Sequence, residues 1–256
     1  MSPAAPAPLR EEPHGRRAPM TGDGRPQLYL IADLARFPVN LADLVARALD
    51  GGVDWVQVRG GHAPAADLYA LAAEIERRCG AAGAGVIVND RIDVALAVGA
   101  DGVHLGTGGL ASGVARALLA PWQIIGRSVH APEEAAAAAR AGADYVMFGH
   151  VFDTASHPGA PPKGVAALRR AVGEAAVPVF AVGGITPQNI ADVAATGCAG
   201  VAVIGAILGA ADPAGAAKTL RRALDEQPEP CRSLRRRVRP ARAGPAAVCS
   251  GEHPHA

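Results

Sequence analysis

Residues 85–106 read Gly-Val-Ile-Val-Asn-Asp-Arg-Ile-Asp-Val-Ala-Leu-Ala-Val-Gly-Ala-Asp-Gly-Val-His-Leu-Gly (GVIVNDRIDVALAVGADGVHLG). The stretch is a short apolar run, a helix-forming segment closed by Gly99, and a second short apolar run. Neither run alternates. Continuous apolarity over four to eight residues marks strands buried on both faces, as in a parallel sheet. Working outward, the same beat recurs. The apolar runs are LYLIAD (28–33), VDWVQVR (53–59), GVIVND (85–90), DGVHLG (101–106), QIIGRSVH (123–130), DYVMFGH (144–150), PVFAVGG (178–184) and GVAVIG (200–205). Segments rich in Ala, Leu, Glu and Arg separate them, and several close on a glycine, a common helix stop. Eight strand–helix units in about 200 residues predict a (β/α)8 TIM barrel. The rival, a doubly wound open sheet, lacks support, because no GxGxxG follows the first strand.

Composition bounds the rest. The chain has 256 residues, half of them hydrophobic, and a net charge of +1. That is enough to bury one large core, and too nearly neutral for a general polyanion binder. No run reaches the roughly 20 apolar residues of a membrane span. The first residues carry no apolar stretch of secretory type. Cys79, Cys198, Cys231 and Cys249 show no metal-ligand spacing, so a reduced, cytoplasmic setting is expected. Residues 1–26 and 227–256, rich in Pro, Ala and charge, are expected to be disordered tails around a domain at 27–226. The arginines at 232, 235, 236, 237, 239 and 242 come without aromatic residues to stack on bases. They read as a solvated basic tail, not as a nucleic-acid or membrane surface.

In such a barrel the chemistry sits at the C-terminal ends of the strands. Those ends carry Asp33, Arg59, Asn89, Asp90, His104, Arg127, Ser128, His130 and His150. After strand seven comes AVGGIT, and strand eight ends in VAVIGAI. Paired glycines at loops seven and eight let backbone N–H groups approach an anion, so Gly183, Gly184, Ile204 and Gly205 are expected to bind phosphate.

Together VNDRIDVALAVGADGVHLG, GADYVMFGHVF, AVGGITPQN and GVAVIGAI resemble the thiamine phosphate synthase/TenI superfamily, over roughly residues 27–224. The resemblance implies one of two activities. A thiamine phosphate synthase joins a pyrimidine pyrophosphate to a thiazole phosphate with magnesium. A thiazole tautomerase aromatises a thiazole carboxylate phosphate without metal. Four positions depart from the synthase pattern. Gly109 stands where it has a magnesium-binding aspartate, Gly61 follows Arg59-Gly60 in place of a lysine, and Asp153 and His157 replace a proline and a lysine. Asp90 keeps half of a metal site. GRSVHAPEEA (126–135) and DYVMFGHVF (144–152) resemble the tautomerase form.

The expectation is therefore an isomerase, a TenI-like thiazole tautomerase with no cofactor and no metal. The resemblance places its proton-shuttling base at His130, a role suited to an imidazole with an ordinary pKa near 6.5. Arg59 and Arg127 are candidates for the substrate carboxylate. Asn89 and Ser128 complete the pocket, and His150 orients the substrate or bonds a neighbouring loop. For Arg127 a structural ion pair is equally open, and His104 reads as a core or rim histidine. The alternatives are the magnesium-dependent synthase and a non-catalytic regulator that binds a phosphorylated ligand. The partner is a small thiazole phosphate, and barrels of this kind often pair, which leaves a homodimer open.

Overall fold

The computed structural model describes Met20 and residues 24–227. The expected tails at 1–26 and 227–256 otherwise lie outside the described residues. Eight parallel strands close into a barrel in sequence order. They are β1 (Gln27–Asp33), β2 (Trp55–Arg59), β3 (Gly85–Asn89), β4 (Gly102–Leu105), β5 (Ile124–Val129), β6 (Tyr145–Gly149), β7 (Val179–Val182) and β8 (Gly200–Val203). Between them run α1 (Leu41–Leu49), α2 (Ala65–Ala82), α3 (Ile92–Val98), α4 (Ser112–Leu118), α5 (Pro132–Arg140), α6 (Gly164–Glu174) and α7 (Ile190–Ala194). A single turn, α8 (Gly205–Leu208), follows β8, and α9 (Pro213–Asp225) ends the fold. Pairing of Leu28 with Val201 closes the cylinder.

The unbroken apolar runs serve two cores at once. Alternate strand residues point to opposite faces. In β1, Leu28, Leu30 and Ala32 join the layer between strands and helices, which also holds Val56, Val58, Ile125 and Val129. Tyr29 and Ile31 point into the barrel, beside Trp55, Ile87, Tyr145, Met147 and Phe180. Met20 is buried with that inner set. The helices supply the matching stripe; α1 buries Leu41, Val45, Ala48 and Leu49 at helical spacing.

A repeated device fixes the register at the lower end. Asp54, Asp101 and Asp144, each just ahead of an even-numbered strand, accept the amides of Leu28, Val86 and Ile125 at 2.7, 2.7 and 2.8 Å. A carboxylate there satisfies an N–H that the ladder leaves free. Arg221 of α9 then donates to Asp54 at 2.9 Å and ties the last helix to the first strand pair.

The eight expected runs match the strands within one to two residues at each end. The exception of consequence is Gly205. It does not finish β8; it opens α8, so its amide and that of Ala206 have no intrahelical acceptor.

Candidate active site

The C-terminal ends of the strands and the loops above them enclose a cavity of about 430 Å³. Loops after β7 and β8 bring Gly183, Gly184, Ile204 and Gly205 to one side of it. Gly184 has φ 66°, a left-handed backbone that an L side chain enters at a cost, and a Cβ there would fall 2.4 Å from the Asp153 carbonyl oxygen. Glycine thus serves both the turn and the close packing of the loop after β7 under the loop after β6. Asn189 holds the turn, accepting from the Thr186 amide and donating to the Gly184 carbonyl, each at 2.9 Å. Arg36, from the loop after β1, reaches the same side: a Cβ on Gly205 would sit 3.4 Å from its Nη2. Its Nη1 donates to Ser156 Oγ at 3.0 Å, linking loops one and six over the mouth.

Arg59, His130, His150 and His157 also line the cavity, with His150 directly against Gly183, where an added Cβ would lie 2.7 Å from the His150 Cα. Arg59 ends β2 and lies 3.4 Å from Asp33, half exposed. His130 follows β5. Its amide donates to Glu134 of the first turn of α5 at 2.7 Å, and its Nδ1 contacts the Gly149 carbonyl at 2.6 Å. A carbonyl only accepts, so Nδ1 carries the proton and Nε2 is left for a ligand. His150 is buried, donates from Nε2 to the Ala160 carbonyl at 3.1 Å, and stacks on His157 with centroids 5.0 Å apart. Burial, then the neighbouring His150, His130 and Arg59, hold His157 below the ordinary histidine value. Arg59 is thus the cationic donor of this group, since the His130 and His150 N–H groups are taken by the Gly149 and Ala160 carbonyls.

The structure brings nearly all the expected residues together. His130, Arg59, Asn89, Ser128, His150, Gly183, Gly184, Ile204 and Gly205 all line the cavity. Arg127 does not. It alternates with the inward-facing Ser128 on β5 and donates outward to the Leu110 carbonyl at 2.9 Å. Sequence reasoning missed Arg36, an exposed loop residue with no local signal, and Gln57. Gln57 did leave a signal: it is a glutamine inside the apolar run WVQVR, and it is buried on the cavity floor.

Half of the magnesium cradle of the synthase pattern is present. Mg²⁺ on a phosphorylated ligand wants one or two free carboxylates. Asp90 accepts the Gly106 amide on Oδ1 at 2.8 Å and the Asn89 amide nitrogen on Oδ2 at 2.7 Å, which leaves each oxygen a further lone pair for a cation. The second carboxylate is absent at Gly109, where even a Cβ would meet Asp90 Oδ1.

Comparison with known proteins bears on the reaction. A family model described as thiamine monophosphate synthase matches residues 28–207. A thiamine-phosphate synthase of Chlorobium phaeobacteroides is 44% identical over 179 residues, 70% of this chain and 87% of that one. One from Methanoculleus marisnigri is 46% identical over 180 residues, 70% and 85% of the two chains. The solved thiamine phosphate pyrophosphorylase of Pyrococcus furiosus superposes with a TM-score of 0.73 at 40% identity, covering 78% of this chain and 96% of that one.

These findings overturn the expected isomerase. Relatives at 42–46% identity carry the synthase name, which favours the transferase alternative over the thiazole tautomerase. The tautomerase expectation leaned on four loop positions (61, 109, 153 and 157) and on the short motifs at 126–135 and 144–152, and loops vary where the barrel beneath them does not. On a match spanning most of its described length, the chain belongs to the thiamine monophosphate synthase family.

Proposed function

We propose that the protein is a transferase of the thiamine-phosphate-synthase type, joining a pyrimidine carried on pyrophosphate to a thiazole phosphate. The observation that carries this reading is one cavity lined both by the glycines of loops seven and eight and by the guanidinium groups of Arg36 and Arg59. The side at Gly183, Gly184, Ile204 and Gly205, with Arg36 above it, suits the single phosphate of the thiazole arm. Arg59, with His130 and His157 near it, suits the pyrophosphate.

In the reaction the C–O bond between the pyrimidine methylene and pyrophosphate breaks, and its electron pair leaves on the phosphate oxygen. The thiazole nitrogen lone pair then forms the new C–N bond, giving a thiazolium. No proton is lost. What the protein must supply is stabilisation of charge building on the leaving oxygen and a fixed distance between the two rings. Arg59 offers a fork to the departing pyrophosphate. His130 Nε2 accepts from a ligand or, protonated, donates to it; Glu134 and the Gly149 carbonyl hold the ring in place for either. Ser128 and Asn89 border the pyrimidine. No step is assigned to a protein-held metal, and none to another cofactor.

Cys79 and Cys198 are buried in the helix–strand layer. Among the described residues no helix is long and apolar enough to cross a membrane.

The test is turnover of both substrates by the purified full chain in magnesium-containing buffer. Wild type should form thiamine phosphate. Arg59→Ala should lose at least tenfold in kcat/KM, since a charged hydrogen bond is worth about 1.5–3 kcal/mol. An Arg59→Ala variant as fast as wild type would remove the pyrophosphate contact from the reading.

A further inference from the structure

Asp90 lies in the loop after β3, and Ser128 near the end of β5. A run of hydrogen bonds joins them through the barrel. Asn89 Nδ2 donates to Asp90 Oδ2 at 2.7 Å, and Gln57 Nε2 donates to Asn89 Oδ1 at 2.8 Å. Tyr29 donates to Gln57 Oε1 at 3.0 Å. The Tyr29 and Tyr145 hydroxyls are 3.0 Å apart. His104 Nδ1 is 3.2 Å from the Tyr145 hydroxyl, and His104 Nε2 is 2.9 Å from Ser128 Oγ.

One end decides the direction of every link. An ionised carboxylate only accepts, so the Asn89 amide must turn its NH₂ toward Asp90 and its oxygen toward Gln57. Gln57 then gives its NH₂ to Asn89 and shows its oxygen to Tyr29. Tyr29 spends its single proton there. The contact between the two tyrosines must therefore use the proton of Tyr145. Tyr145 has none left for His104, so His104 Nδ1 carries the proton. A neutral imidazole has one N–H; its Nε2 is bare and accepts from Ser128.

Gln57, Tyr29, Tyr145 and His104 are all buried, so water does not replace a missing donor along the run. Burial, with the charges of Arg127 and Arg59 behind it, pushes the His104 pKa to about 3. The ring is accordingly neutral near pH 7. Asp90 holds its place on a left-handed backbone with φ 56°, anchored by the Gly106 amide.

We propose that Asp90 is a positioning residue that acts through this one-way run on Ser128. It fixes His104 with its proton on Nδ1 and commits the Ser128 hydroxyl proton to Nε2, so that Ser128 meets the cavity as an acceptor. A ligand that brings an N–H or O–H to Ser128 extends the run. A ligand that brings only an acceptor must break its last link. The site thus favours a hydrogen-bond donor at that point on the ligand, whatever reaction follows.

The test is imidazole nitrogen NMR on the ¹⁵N-labelled full chain at neutral pH, with no ligand and no turnover required. Wild-type His104 should show the proton on Nδ1 alone. Asp90→Ala removes the fixed end and should give a mixture of tautomers. Gln57→Leu cuts the run without touching either end and should do the same, which keeps the idea testable where Asp90→Ala fails to fold. Ser128→Ala should keep the proton on Nδ1 but shift the Nε2 resonance, because a hydrogen bond to it is gone. A wild-type proton on Nε2, an unchanged tautomer in a folded Asp90→Ala or Gln57→Leu protein, or an unmoved Nε2 resonance in Ser128→Ala each overturns the proposal.

Discussion

Placing a methyl group at position 184 tests whether the loops after β6 and β7 form one anion-holding unit. The Gly184 backbone has φ 66°, and the left-handed region costs an L residue about 1–2 kcal/mol. The added Cβ would also lie 2.4 Å from the Asp153 carbonyl oxygen and 2.7 Å from the Phe152 Cβ. Relieving such overlap costs about 1–3 kcal/mol. Gly184→Ala should therefore lose about 2–5 kcal/mol in urea unfolding, and affinity for thiazole phosphate should fall with it as the turn opens. Gly173→Ala is the matched control. Gly173 lies in α6 with nothing within 4 Å of its would-be Cβ, so alanine there should stabilise by up to about 1 kcal/mol. A Gly184→Ala protein within about 0.5 kcal/mol of wild type and with unchanged affinity would refute the reasoning.

Other perturbations give separate checks. Arg36→Ala should weaken thiazole phosphate by about 5- to 30-fold in KM with little change in kcat, by loss of one exposed charged hydrogen bond, as steady-state kinetics can show. Gly109→Asp should displace Asp90, since even a Cβ at that position meets its Oδ1; the His104 tautomer reads this out. His104 titrates near 3 when folded and near 6.5 when unfolded, so between those values the unfolded chain binds the extra proton. Its stabilising effect is complete above about pH 6.5 and fades as pH falls toward 3, at up to about 1.4 kcal/mol per pH unit. Denaturation from pH 7 to 4 should show this slope in wild type, and His104→Gln should flatten it by one proton.

Much of this architecture is visible in the residues themselves. Runs such as LYLIAD and DYVMFGH are apolar throughout because each strand feeds both the barrel interior and the helix layer, and that doubling separates a parallel barrel from an alternating sheet. Strand ends then gave the site, since His130, Arg59 and the glycines of loops seven and eight fall where the fold puts chemistry. Three things were not legible. Arg36 acts across the mouth with Ser156, 120 positions along the chain, and an exposed loop arginine carries no periodic signal. Arg127 and Ser128 are neighbours of opposite fate, separated only by the strand's alternation. The choice between two reactions was misjudged because single loop substitutions, such as Gly109, weigh heavily in a motif and lightly in a whole barrel.

The most direct measurement supplies the pyrimidine pyrophosphate and thiazole phosphate to the purified protein and counts both products. Thiamine phosphate and pyrophosphate should appear in equal amounts, and neither should form when one substrate is withheld. Pyrophosphate release without thiamine phosphate, or no product at all from protein that binds both substrates, would contradict the transferase reading.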